Sequence, residues 1–444
     1  MKETRQIKIA IVGCGTVGSS LIQQLGEKHD RILNEYGFSV RLSHVLVRNR
    51  DTQRDVPDKS ILYSSSDELG EFSDIVTTNP ADIINSDVDI VVEVAGGIHD
   101  AYDIIQAALA SSRSVVTANK ELLALKGNEL YALAGSNGVD LLFEAAVAGA
   151  IPIVRPIRES LAVEHINSVR GILNGTTNFI LTQMTRNGTS YEAALAEATA
   201  LGYAEADPTA DVEGYDAAAK IAIISLLATG ANALQSDVQT RGISGVTAED
   251  IATATELGYV IKLIAIVQER NAHEVILRVD PTFVPVTHPL STVHDGFNAV
   301  TISGERSGEL TFIGRGAGGD PTAAAALGDV VDACINVDRG RSGAVVGFEF
   351  DRTIADPGEW LSSFYIDSLV EDQPGVLAQI AGVVERHGIS IGSLSQQPSK
   401  GADVPVRLLL LTHETRERNM LQAAEELRGL SCVQKVGPIY PVLA

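Results

Sequence analysis

Between the apolar run Ile7–Val12 and a helix-like segment lies Gly13-Cys14-Gly15-Thr16-Val17-Gly18, three glycines at a spacing that lets backbone turn tightly and pass close to a pyrophosphate. With glycine at 40 of 444 positions, the bare pattern arises by chance roughly 0.3 times in such a chain, so context decides. Here it closes a strand and opens a helix, whose N-terminus favours an anion. The runs Ile7–Val12, Val40–Val47, Asp89–Val94, Val115–Thr117 and Leu141–Phe143 alternate with helix-like stretches. Continuous apolar strands in this alternation predict a doubly wound parallel sheet with helices on both faces, occupying residues 1–145. Gly13, Gly15, Thr16, Val17 and Gly18 are then the residues that would meet a dinucleotide.

The chain beyond is long enough for further domains. Residues 146–350 read as α+β, with helices expected over Tyr191–Ala200, Asp216–Ala228 and Ala248–Glu269 and strands at Ile276–Val279 and Ala299–Ile302. Within them, about 305–340 is expected to return to the nucleotide domain. DRTIADPGEW lacks periodicity and carries Asp, Pro and Gly, so 351–362 reads as a linker. The remainder, 363–444, has the order strand, helix, strand, strand, helix, strand of a small split-βαβ module. A formal charge of −23 repels nucleic-acid phosphates and anionic lipid, so neither partner is expected. Cys14, Cys334 and Cys432 are odd in number and far apart, which suggests no disulfide framework or zinc site. The opening residues lack the apolar core of a signal peptide, and Ile221–Ser236 is too short and polar to span a bilayer, so a cytoplasmic location is expected.

Several positions could carry chemistry. A second glycine pattern, Gly314–Gly319, follows a strand and precedes a helix opened by Pro321, and reads as a structural turn or as an auxiliary ligand contact through Gly316. After the second strand stand Arg48-Asn49-Arg50, with the first acid only at Asp51; arginines there suit a 2′-phosphate and favour NADP over NAD, or else are a solvated surface pair. Lys120 follows a parallel strand, where it opens a helix or reaches a nicotinamide or substrate carbonyl. Asp216 and Lys220, four apart, share one face of an otherwise apolar helix, as a surface ion pair or as working groups. Glu205, Asp207, Asp211 and Glu213 form an acidic loop that reads as a binder of a substrate ammonium, as a solvated loop or as helix caps. No H-x-x-x-H, H-E-x-x-H or G-x-S-x-G pattern supports a hydrolase.

Taken together, GCGTVG, VVTANKELLA, FEAAVAGAIPIVR, GILNGTTNFIL, LGYAEADPTADVEGYDAAAK and GRGAGGDPTA closely resemble homoserine dehydrogenases, over nearly the whole chain. The tail EDQPGVLAQIAGVVERHGISIGSL is similar to the ACT domain, a module that binds amino acids. The resemblance implies a Rossmann-type domain, a catalytic and dimerisation domain and a regulatory ACT module in a homodimer or homotetramer. It implies NAD(P)-dependent interconversion of L-homoserine and L-aspartate 4-semialdehyde on the route to threonine and methionine. By matching motif, Lys220 would donate a proton to the aldehyde oxygen and Lys120 would lie between nicotinamide and substrate. Glu205, Asp211 and Asp216, with Gly175 and Thr176, would hold the amino acid. A monovalent cation, sodium, would sit at Glu144, Val147, Gly149 and Ile151. Threonine would be the effector, bound near Asp372–Gly375 and Ile389–Ser393, and removing the tail after Ala355 would leave an active, unregulated enzyme. A non-catalytic amino-acid or NAD(P) sensor and a related amino-acid dehydrogenase are the other readings; both lysines with all three carboxylates favour the enzyme.

Overall fold

The computed structural model describes residues 5–52, 72–343, 352–396 and 404–443. It forms two compact units, one of residues 1–166, 219–236 and 298–351 and the other of 167–218, 237–297 and 352–444. Among the described residues no helix is long and apolar enough to cross a membrane.

Among the described residues, one sheet of the first unit has six strands, β1 (Arg5–Val12), β2 (Phe38–Leu46), β3 (Val76–Thr77), β4 (Ile90–Glu93), β5 (Ser114–Thr117) and β6 (Leu141–Leu142). They lie in the order β3-β2-β1-β4-β5-β6, and every pair is parallel. The order reverses between β1 and β4, so the crevice beyond their C-terminal ends is where an open sheet of this kind binds its ligand. Ile7, Ile9, Ile11, Val45 and Ile90 are fully buried, as expected of strands covered on both faces. Ala323, Ala326, Val330 and Ala333 of the helix Gly319–Asp338 join the same core, their small side chains allowing close approach. Ser20 Oγ donates to Asp320 Oδ1 at 2.7 Å and fixes this helix against the one at Thr16–Glu27.

The second unit contains β7 (Ile166–Ile172), β8 (Tyr259–Asn271), β9 (Glu274–Pro285), β10 (Leu361–Val370), β11 (Ile391–Gln396), β12 (Val406–Thr412) and β13 (Val433–Val442). Their order in the sheet is β7-β8-β9-β13-β10-β12-β11. Here the expected helix Ala248–Glu269 is corrected: a helix at Ala248–Glu256 stops, and 259–271 is strand β8. Gly258 ends the helix at φ +82°, and the run that follows pairs along its length with β9. Buried on both sides, that strand shows the continuous apolar character that also fits a buried helix.

The tail has the expected βαββαβ order, with helices Val376–Arg386 and Glu417–Arg428, and its last strand joins β9. Val442 of β13 pairs with Phe283 of β9, and Leu443 N–H donates to Phe283 O at 2.8 Å. The Phe283 ring stacks on Tyr365 and Tyr440, with centroids 4.6 and 5.1 Å away. Arg278 of β9, 2% exposed, donates to Asp280 at 2.6 Å and, through both terminal nitrogens, to Glu417 at 2.8 Å. Its guanidinium also lies 3.8 Å above the Trp360 ring. Breaking such a buried set from one side costs about 3 to 5 kcal/mol. The expected linker is corrected likewise: Thr353–Ile354 pairs with β9, and Ala355 and Trp360 are buried. Asp351, where that linker was expected to start, lies outside the described residues.

Candidate functional site

At the switch point the three glycines of the first motif have separate duties. Gly13 has φ +99°, and a Cβ on it would stand 2.6 Å from Ala95 Cα and N. A Cβ on Gly18 would meet Gly13 O at 2.1 Å, so this glycine seats the helix against the turn. Around a Cβ on Gly15 there is no atom within 4 Å. The backbone at Gly15 therefore faces open space, in a hollow of about 600 Å³ lined also by Cys14, Arg48, Gly96, Gly97 and Asp100. Its volume is in the range of small-molecule and cofactor sites. Thr16 and Val17 begin the helix behind it. Arg48 borders the hollow, whereas Arg50 Nη2 donates to Val76 O and is tied down beside β3. Of the two arginines, Arg48 is the one that lines this hollow.

A second hollow, of about 260 Å³, shares Gly96 and Gly97 with the first and is lined by both Lys120 and Lys220, with Val147, Gly149 and Gly316. Lys120 is the first residue of the helix Lys120–Asn137, whose N-cap Asn119 accepts from Leu122 N at 3.1 Å. It thus opens a helix and lines the hollow at once. Lys220 is 8% exposed on the helix Tyr215–Thr229, one turn after the equally buried Asp216.

Glu144 is buried, and its carboxylate accepts from Ile153 N at 2.5 Å and from Val154 N and Arg155 N at 2.8 Å. It caps the start of the following helical turns instead of standing open as a ligand. The loop it anchors, from Val147 to Ile151, bends at Gly149, whose φ is +60° and whose Cβ would strike Gly316. Among the described residues, no three His, Cys, Asp or Glu side chains are grouped to hold a metal.

The second unit gathers part of the acidic set. Asn174 Nδ2 donates to Asp211 Oδ1 at 2.7 Å and to Asp216 Oδ2 at 3.0 Å, while its Oδ1 caps the helix Gly175–Asn187 at Thr177 N. Thr176 Oγ1 donates to Tyr203 O at 2.7 Å, and a Cβ on Gly175 would lie 2.9 Å from Gly296 O. Glu205 is exposed in the loop. Asp207 caps the turn at Thr209, whose N–H and hydroxyl hold its carboxyl below the usual range. The acidic loop is therefore mixed in purpose: Asp207 is a cap, and Asp211 and Asp216 are aimed at one amide. Asn174 was passed over in the sequence, where an asparagine before a helix is an ordinary capping residue; so was Glu93, hidden at the end of a buried strand.

Sequence profiles described as homoserine dehydrogenase match residues 152–331, and as homoserine dehydrogenase, NAD binding domain, residues 13–144. An ACT domain profile matches 365–432. Over 440 residues the chain is 39% identical to a homoserine dehydrogenase of Bacillus subtilis, spanning 99% of this chain and 98% of the relative. A solved homoserine dehydrogenase from Thiobacillus denitrificans is 36% identical with a TM-score of 0.87 and covers 99% of both chains. A hyperthermophilic archaeal homoserine dehydrogenase mutant in complex with NADPH is 28% identical, with a TM-score of 0.62 over 74% of this chain and 98% of that one.

Proposed function

The chain belongs to the homoserine dehydrogenase family, oxidoreductases that interconvert L-homoserine and L-aspartate 4-semialdehyde with a nicotinamide cofactor, and from that premise we propose how its residues divide the work. The observation that carries the proposal is the pair Lys120 and Lys220 in one hollow, which shares Gly96 and Gly97 with the larger hollow over Gly15. When bound, the cofactor supplies a hydride for the aldehyde carbon. The negative charge that then develops on the aldehyde oxygen needs a proton and an electrostatic partner. Lys220 provides both through its ammonium, and Lys120 holds the neighbouring wall. Within the second unit, Asn174 prealigns Asp211 and Asp216, and these carboxylates, with Gly175, Thr176 and Glu205, suit a substrate ammonium.

Arg48 supports a preference for NADP over NAD, since its guanidinium borders the cofactor hollow and would form charge-assisted bonds to a 2′-phosphate. Gly13, Gly15, Thr16, Val17 and Gly18 cradle the pyrophosphate, and Gly316 closes the wall near the lysines. A monovalent cation at Val147, Gly149 and Ile151 would be held by main-chain oxygens, with Glu144 fixing the loop through its three amide contacts. The ACT module supports amino-acid regulation, and threonine is the proposed effector at Asp372–Gly375 and Ile389–Ser393. Among the described residues, strand β11 ends the sheet order with one edge unpaired, which supports assembly with a second copy as a homodimer or homotetramer.

The test is spectrophotometric: loss of NADPH absorbance with L-aspartate 4-semialdehyde, repeated with NADH. Turnover with NADPH at a clearly higher kcat/KM is the expected result. Equal use of both cofactors would remove the assignment of Arg48.

A further inference from the structure

The two hollows share one wall, and that wall hangs on a single buried carboxylate. Glu93, the last residue of β4, is 0% exposed. Its Oε1 accepts from Ala95 N and Gly96 N, both at 2.9 Å, and its Oε2 accepts from Thr117 Oγ1 at 2.7 Å. Gly96 and Gly97, at φ +70° and +83°, turn the chain so that successive amides point back at it. Among the described residues, three donors face the group, which supplies the partners a buried carboxyl needs.

The bonds continue into a ring. Thr117 stands opposite Glu93 in the β4–β5 register, and its hydroxyl also accepts from Asn119 N at 3.1 Å. Asn119 Nδ2 then donates to Gly97 O at 2.6 Å, returning to the turn where the ring began. Glu93 and Thr117 lie behind the site, and the other members of the ring border it. Ala95 is the residue that Gly13 must clear, Gly96 and Gly97 line both hollows, and Asn119 caps the helix that opens at Lys120.

We infer that Glu93 is a positioning residue for the reaction: through Thr117 and the Ala95–Gly97 turn it fixes Lys120 relative to the cofactor wall. The inference rests on the reading of Lys120 as part of the reactive site. An apolar residue here would leave two amides and a hydroxyl without partners and would free the Lys120 loop from the turn. Because misplacement of about 1 Å is enough to cost on the order of a hundredfold in rate, the ring need not break the fold to matter.

Thr117→Val cuts one bond of the ring at nearly constant volume and leaves both amide contacts of Glu93 in place. Its kcat should fall on the order of tenfold, with NADPH affinity unchanged within about twofold. Glu93→Ala should lower both kcat and NADPH affinity, and Glu93→Gln, which still offers an oxygen to the two amides, should restore the affinity but not the full kcat. The deciding measurement is a double-mutant cycle. If Thr117 acts through Lys120, Thr117→Val should have no further effect on kcat in a Lys120→Ala background. Multiplied losses in the double mutant, or an unimpaired Thr117→Val beside an impaired Lys120→Ala, would overturn the inference. A fully active Lys120→Ala would instead overturn the role of Lys120, and this inference with it.

Discussion

Gly13–Gly18 and Gly314–Gly319 use one spacing of glycines in the same unit, and they use it for different neighbours. In the first, Gly13 and Gly18 clear protein backbone, while Gly15 faces empty space at the mouth of the larger hollow. In the second, every constrained position faces protein. A Cβ on Gly314 would meet Ile151 at 3.0 Å, one on Gly316 the Asn298 amide at 2.0 Å, and one on Gly319 Thr16 Cγ2 at 2.7 Å. The second turn thus packs against the helix that the first turn opens. What glycine reports in either place is close approach, and only the surroundings say whether a ligand or the chain itself approaches.

The largest effect should lie in neither motif but in the lysine hollow they border. Lys220→Met should lower kcat on the order of a hundredfold or more, because it removes proton donor and charge together. NADPH binding, followed by fluorescence titration, should stay near wild type. A variant keeping a third of the wild-type kcat would show that the hollow next to Gly316 is not the reacting one.

Gly13→Ala forces a side chain into φ +99° and against Ala95 backbone, which should cost about 2 to 4 kcal/mol in a denaturant titration. A stable Gly13→Ala protein would mean that the first turn is less constrained than its geometry implies. Arg48→Ala should weaken NADPH by about ten- to a hundredfold and NADH little, as expected for loss of a charge-assisted bond. The same change at Arg50 should not discriminate, since that side chain is bound to Val76.

Gly15→Ala and Gly316→Ala sharpen the contrast most directly. The first should leave Tm unchanged and weaken NADPH several-fold, by roughly 1 kcal/mol, because the only space its methyl can take is the ligand's. The second should lower stability by about 1 to 2 kcal/mol through the Asn298 contact and leave NADPH affinity within about twofold. The opposite pattern would exchange the roles assigned to the two turns.

The sequence made the parallel sheet and the first turn legible because strand runs, motif and helix start coincide within a few residues. It could not separate the two glycine motifs, which differ only in what lies across from them. Strand β8 was hidden by its run of apolar residues from Leu263 to Val267, which erases the period that tells strand from helix; Gly258 was the available sign of a break. DRTIADPGEW looked like a tether because Asp, Pro and Gly punctuate it, yet Trp360 closes over Arg278. Lys120 was visible from its place after a parallel strand, and Lys220 and Asp216 as charges on an apolar helix. Asn174 and Glu93 were not, since their importance lies in which atoms they join and not in where they stand along the chain.

The joining of β9 to β13 also sets an order of events during synthesis. Arg278 leaves the ribosome well before its partner Glu417, 139 residues later. Until then its guanidinium has Asp280 but lacks the second of its two carboxylates, and Phe283 lacks the two rings that enclose it. A nascent chain that has passed β9 therefore still carries an unmatched sheet edge and an arginine short of one carboxylate, a state open to wrong pairings and to chaperones. Completion of the tail closes that interval, so the segment that serves regulation in the mature enzyme also decides when the catalytic sheet first becomes complete.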